Sequence, residues 1–259
     1  MCKVISVSNQ KGGVGKTASA VNLGIGLAKL DKKVLLIDSD SQGNLSVSLG
    51  IAEPDSLDYT LADILRDTIN EAEIGRKGIL NHEEGIDFIP ANIDLADMEV
   101  QLINIIGRET VLRQYLEQIK SYYDYIIIDC SPNLGMITIN ALTCADTVLI
   151  PVQASYLPLK GLQMLIKTIM KIKRQLNPKL NIEGILITMV DGRTNYAKEI
   201  IQLLRNEYGN TIKIFENLIP RSIKQDETAV SGNSIYKYAK NSKVAKSYEA
   251  FVSEIIGEV

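Results

Sequence analysis

The stretch "NQKGGVGKTA", residues 9–18, sets Lys11 and Lys16 five positions apart in a glycine-rich loop, where a single nucleotide site ordinarily needs one lysine. Gly15, Lys16 and Thr17 match the end of the phosphate-loop pattern G-x-x-x-x-G-K-[ST], but Gln10 stands where its first glycine belongs. Consecutive backbone N–H groups of Gly12, Gly13, Val14 and Gly15, followed by a helix N-terminus, form a concave anion site. A polyphosphate suits that chemistry. Lys16 would bridge its β- and γ-phosphates, and the Thr17 hydroxyl would ligate Mg²⁺.

Carboxylates supply the second half of such a site. "LLIDSDSQGN" places Asp38 and Asp40 two residues apart, on one side of a continuing strand, and "YIIIDCSP" puts Asp129 at the tip of an apolar strand. Mg²⁺ takes oxygen ligands and keeps several waters, so Asp38 and Asp129 could hold it through water while Asp40 orients an attacking water. A lone aspartate at a strand end more often caps the next helix. Three of them in a chain with a phosphate loop favour metal and hydrolysis.

Alternating elements must position these groups. "KVISVS" before the loop is β-branched and "ASAVNLGIGLAKL" after it has apolar residues at helical spacing, the strand, loop and helix that the motif requires. Further strand-like runs end at Asp38, Pro90, Asp129 and Pro151 and near Val190, with helical patterns such as "TVLRQYLEQIKS" and "YAKEIIQLLRNEYG" between them. Strands apolar on both faces predict an α/β fold, a mostly parallel sheet with helices on both sides and ligands beyond its carboxyl edge.

The 259 residues, 46% hydrophobic, carry no linker-like stretch and are expected to form one domain. No signal-like or membrane-spanning run is present, so a cytoplasmic protein is expected. Cys2, Cys130 and Cys144 are too few and too scattered for a zinc or iron–sulfur framework, and Cys130 and Cys144 read as small residues near a buried sheet. His82, the one histidine, reads as a solvated residue of a polar turn. The net charge of −3 conceals an asymmetry: residues 1–159 hold 12 basic against 21 acidic side chains, and residues 160–250 hold 16 against 8. The basic third suits either a polyanion or a solvated lysine-rich helix surface. After Pro158, Leu162, Leu165, Ile166 and Ile169 form an apolar stripe, opposite Lys160, Lys167, Lys171 and Arg174.

"KGGVGKT", "LLIDSDSQGN", "YDYIIIDCSPNLG", "VLIPVQASYLPLKGL", "ILITMVDGRTN" and "NLIPRSIKQDET" resemble, in order and spacing, the ParA/Soj family of deviant Walker A ATPases. The resemblance runs from Lys3 to about Phe251 and implies a single-domain P-loop NTPase fold using ATP and Mg²⁺. It implies that Lys11 reaches the phosphates held by the other subunit of a nucleotide-sandwich homodimer. Lys11, Lys16 and Asp40 are then catalytic. Gly12, Gly13, Val14, Gly15, Thr17 and Ala18 contact ATP with the two lysines, Thr17, Asp38 and Asp129 serve the metal, and Pro220 and Arg221 lie against adenine. Arg193 and Lys224 match the positions that bind nonspecific double-stranded DNA. The implied partners are DNA and a ParB-like centromere-binding protein, the implied location the nucleoid, and no added helix-turn-helix domain is expected before the first strand.

Ser41, Ala18 and Ser131 depart from the family pattern and should change loop stiffness more than chemistry, whereas "QDETAVSGNSI" departs more widely. A MinD-like membrane switch would need a basic amphipathic C-terminal helix; Val244, Tyr248, Phe251, Val252 and Ile255 form a stripe there, but Glu254 and Glu258 accompany it, and core packing accounts for it better. A dethiobiotin-synthetase-like ligase has no need of Lys11. An electron carrier like the nitrogenase iron protein needs more cysteines than Cys130.

Overall fold

A computed structural model describes residues 2–154 and 159–257. Pro158, Glu258 and the side chain of Lys160 lie outside the described residues. Seven strands form one sheet: β1 (Lys3–Val7), β2 (Val34–Ser39), β3 (Leu80–His82), β4 (Ile86–Ile89), β5 (Tyr125–Cys130), β6 (Thr147–Gln153) and β7 (Asn181–Thr188), in the order β3-β4-β2-β5-β1-β6-β7. All pairings are parallel except β3 with β4. Central strands such as "VLLIDS" are buried throughout because helices cover both faces.

One face carries α3 (Leu61–Ile69), α4 (Asp94–Leu102), α5 (Val111–Ile119), α6 (Met136–Cys144) and α7 (Leu159–Gln175). The other carries α1 (Lys16–Ala28), α2 (Asn44–Ser48), α10 (Ile235–Tyr238) and α11 (Lys243–Ile256). α8 (Asn195–Tyr208) follows β7, and α9 (Ile223–Ser231) contacts α2 and α10. The C-terminal stripe is core, as its charge pattern predicts: Val244, Tyr248, Phe251, Val252 and Ile255 are all buried, with Phe251 edge-on to Phe215 at 4.8 Å. On α7, Leu162, Leu165 and Ile169 are buried and Ile166 is half-buried, while Lys167, Lys171 and Arg174 are exposed.

Two local readings are corrected. β6 does not stop at Pro151 but continues to Gln153. Its pairing with β1 ends at Leu149, so the missing proline N–H costs no ladder bond on that edge. His82 is not a solvated turn residue. It ends β3, is half-buried, and its Nε2 lies 3.3 Å from the Gly232 carbonyl, while Nδ1 accepts from the Glu84 N–H.

Candidate nucleotide site

The carboxyl ends of β1, β2 and β5 open into a cavity of about 710 Å³. Its phosphate end is the loop between β1 and α1. Gly13 and Gly15 adopt φ of +68° and +82°, a left-handed backbone that side-chain-bearing residues resist, and Gly15 caps α1. Two tethers hold the loop: Asn9 Nδ2 donates to the Pro151 carbonyl (2.7 Å) while its Oδ1 accepts from the Lys11 N–H (3.0 Å), and Thr188 Oγ1 donates to the Val14 carbonyl (2.8 Å). Neither Asn9 nor Thr188 stood out in the sequence, although Asn9 opens the motif.

Gly12, Gly13, Gly15, Lys16, Thr17, Ala18 and Asp40 line the cavity. The buried Lys16 sends Nζ to the Lys11 carbonyl at 3.3 Å; burial lowers its pKa, against the opposing pull of Asp129. The exposed Lys11 and buried Val14 line a separate pocket of about 260 Å³ with Asn9, Gln10, Val152, Gln153 and Gly161. The two lysines of the loop thus line different pockets.

Asp38 and Asp129 are buried and do not reach the cavity surface. Asp38 Oδ2 accepts from the Ser46 N–H (2.9 Å) and hydroxyl (2.7 Å), and Oδ1 accepts from the Asp40 N–H (3.2 Å). Burial nevertheless pushes its carboxyl up to about 7. Asp129 is raised too, first by burial and next by Asp38, with the Thr17 hydroxyl bond and Lys16 opposing. Its Oδ1 has no hydrogen-bond partner. An orphaned buried carboxylate oxygen behind a hydroxyl fits a hard cation that keeps its waters. The donor set is one hydroxyl and outer carboxylates, and among the described residues no cluster of three or more His, Cys, Asp or Glu forms a closed metal cage. Asp40, on the surface of the cavity, uses Oδ1 to accept from the Gln42 N–H at 3.1 Å.

The opposite wall differs from the sequence reading. Among the described residues it consists of Met189 with Gln225, Asp226, Thr228 and Ala229 of α9, and Asn233. Pro220 pairs with Val190 and the Arg221 N–H donates to the Val190 carbonyl (3.1 Å), so this segment adjoins the cavity without lining it. The divergent "QDETAVSGNSI" is therefore a wall of the site. The fully buried Asn22 on α1 holds it in place, donating to Gln225 Oε1 (3.0 Å) and accepting from the Ile235 N–H (3.1 Å).

A family model described as an AAA domain matches residues 2–182. The chain is 42% identical over 255 residues to the sporulation initiation inhibitor protein Soj of Bacillus subtilis, covering 98% of each chain. It is 40% identical to the chromosome-partitioning ATPase Soj of Treponema pallidum, covering 99% of this chain and 98% of that one. The chain belongs to the ParA/Soj family. Like that family it is an ATPase of the partitioning type, on the P-loop NTPase fold. Among solved structures, the cobyrinic acid a,c-diamide synthase of Mycobacterium smegmatis with bound ADP and magnesium superposes with a TM-score of 0.86 at 32% identity, covering 99% of this chain and 94% of that one.

In ParA/Soj terms Arg193 and Lys224 are the expected DNA contacts, and both are exposed. Arg193 Nε and Nη2 donate to the two carboxylate oxygens of Asp191 at 2.9 and 2.8 Å, which holds the Asp191 carboxyl down at about 2. Lys224 lies in the first turn of α9, whose following residues line the cavity. One short helix thus carries an expected DNA contact and lines the cavity.

Proposed function

We propose that this chain is a DNA-segregation ATPase whose ATP-bound homodimer holds nonspecific double-stranded DNA and releases it on hydrolysis. The observation that carries this reading is the division of the lysines, with the buried Lys16 lining the main cavity and the exposed Lys11 lining a separate pocket. A self-contained phosphate site needs only one such lysine. Two triphosphates facing each other across a dimer need added positive charge, and in this reading Lys11 supplies it.

The backbone N–H groups of residues 12–15 and Lys16 bind and orient the phosphates of ATP, and Thr17 with Asp129 behind it holds Mg²⁺. That cation offsets phosphate charge when bound. Asp40, bordering the cavity, orients the attacking water. Loss of the γ-phosphate then removes the cross-subunit contact of Lys11 and weakens the dimer.

DNA contact through Arg193 and Lys224 is a phosphate contact, indifferent to sequence and sensitive to salt. A ParB-like partner stimulates hydrolysis, and the complex resides on the nucleoid in the cytoplasm. The partition reading draws on Soj relatives at 40–42% identity, whereas the nucleotide geometry alone is also compatible with the synthase.

The test is binding of a random-sequence duplex at two salt concentrations with no nucleotide, ADP or ATP, beside anionic liposomes. ATP-dependent, salt-sensitive DNA binding without liposome binding supports the proposal. Liposome binding alone favours a membrane switch, and binding of neither overturns the DNA half of the reading.

A further inference from the structure

β3 is the edge strand of the sheet and only three residues long, and the turn that joins it to β4 reaches the segment after α9. The Gly85 N–H donates back to the His82 carbonyl at 3.0 Å, which sets Glu83 and Glu84 at the tip of the turn. Half-buried Glu84 turns its carboxylate onto Ser234: Oε1 accepts from the Ser234 N–H at 2.8 Å, and Oε2 accepts from the Ser234 hydroxyl. His82 reaches the same segment. Its Nδ1 accepts from the Glu84 N–H and the Gly232 carbonyl can only accept, so the ring is neutral and donates its Nε2 proton to Gly232.

Between those two anchors Asn233 lines the nucleotide cavity, and its Nδ2 donates to the Ser231 carbonyl at 2.7 Å. Ser234 is buried and caps α10, its hydroxyl oxygen accepting from the Tyr236 N–H at 3.2 Å and the Lys237 N–H at 3.3 Å. The hydroxyl proton is thereby left for Glu84. Gly232 ends α9 at φ +65°, and a Cβ there would lie 2.7 Å from the Gly50 Cα, so the segment also packs closely on the chain that follows α2. A helix as short as α10, with four residues, has little stability of its own. The order of this wall therefore comes from its anchors.

We propose that Glu84, together with His82, is a positioning residue for nucleotide binding: the β3–β4 turn holds residues 232–235, and with them the α9 wall, in the shape that receives the nucleoside end of ATP. The phosphates lie across the cavity at residues 12–17, so the turn acts on the nucleoside end alone. A wall docked for only a fraction of the time lowers affinity by that fraction without altering the chemistry at the γ-phosphate. The bonds to the Glu84 carboxylate are charge-assisted and carry most of the effect. Glu83, beside it, pairs with Lys237 on the exposed surface, where an ion pair contributes little. The inference rests on the nucleotide-site half of the proposed function and not on DNA binding.

The test measures ATP and tripolyphosphate binding by equilibrium titration, with steady-state hydrolysis, on the full chain. Glu84→Ala should weaken ATP about 10-fold and raise KM to match, with tripolyphosphate binding and kcat unchanged. Glu84→Gln, whose amide oxygen still accepts from the Ser234 N–H, should restore most of the affinity, and Glu83→Ala should match the parent. Should Glu84→Ala fail to fold, Glu84→Asp, which keeps the charge and shortens the reach, carries the same expectations. Parental ATP affinity in the folded Glu84 variant overturns the proposal, as does an equal loss of ATP and tripolyphosphate, which marks general loosening of the fold. Lys16→Ala, run beside them, should lose both ligands; if it keeps both, the nucleotide-site reading itself falls.

Discussion

Asp38 and Asp129 are register partners on the adjacent parallel strands β2 and β5, both buried. Strand spacing of about 4.8 Å brings their carboxyls into each other's field. The folded pKa of Asp38 lies near 7, above its ordinary 3.8. The stabilisation from keeping it protonated is therefore fully present below pH ~4 and is lost as pH rises from ~4 through ~7. In metal-free protein, the unfolding free energy of wild type relative to Asp38→Asn, read from denaturant titrations, should fall across that window by an amount on the order of a few kcal/mol. A flat difference would show that Asp38 is ionised in the fold.

Lys16 and Lys11 should separate in function. Lys16→Ala should cut hydrolysis about 100-fold or more and prevent nucleotide-dependent dimerisation. Lys11→Ala should retain nucleotide binding by the monomer, read by equilibrium titration, and lose the ATP-induced dimer in sedimentation. A dimer in Lys16→Ala, or loss of monomer affinity in Lys11→Ala, contradicts the division of labour.

Asp40→Ala leaves the phosphate loop intact and removes the carboxylate at the cavity surface. It should accumulate an ATP dimer that still binds DNA, with turnover reduced about 100-fold. Normal turnover removes Asp40 from the mechanism.

Arg193→Glu should spare ATP binding and weaken every DNA duplex tested, and a neutral change at this position should lower the salt slope by about 1. Asp191→Asn, which removes the carboxylate held in the Arg193 fork, should shift DNA affinity the other way. Equal affinity in all three proteins places the DNA surface elsewhere.

Gly135→Ala should cost the fold about 1 kcal/mol or less, since the new methyl group meets only the flexible end of Glu99, which must swing away from the Ile137 N–H. Glu99→Ala should suppress most of that cost in the double variant. Additive effects in denaturant titrations would show that the two residues are not in contact.

The phosphate loop, the three strand-end aspartates and the parallel order were legible because each depends on neighbours a few residues apart or on strands apolar on both faces. β3 was not, because its three residues, "LNH", carry no β-rich alternation and are fixed by pairing with β4. The α9 wall was equally hidden. Its sequence departs from the family, and its position depends on Asn22 and on Glu84, which accepts from the Ser234 N–H at 2.8 Å. The position of Arg193 was legible but its pairing with Asp191 was not, though only Gly192 separates them.

Asn22 and Gln225 are 203 residues apart. During synthesis the phosphate loop leaves the ribosome long before the helix that completes its cavity. At about 5–20 residues per second the interval is roughly 10–40 s. The loop's own tethers, the Pro151 carbonyl and the Thr188 hydroxyl, also emerge well after it, so the cradle and its far wall are both completed only in the last part of synthesis.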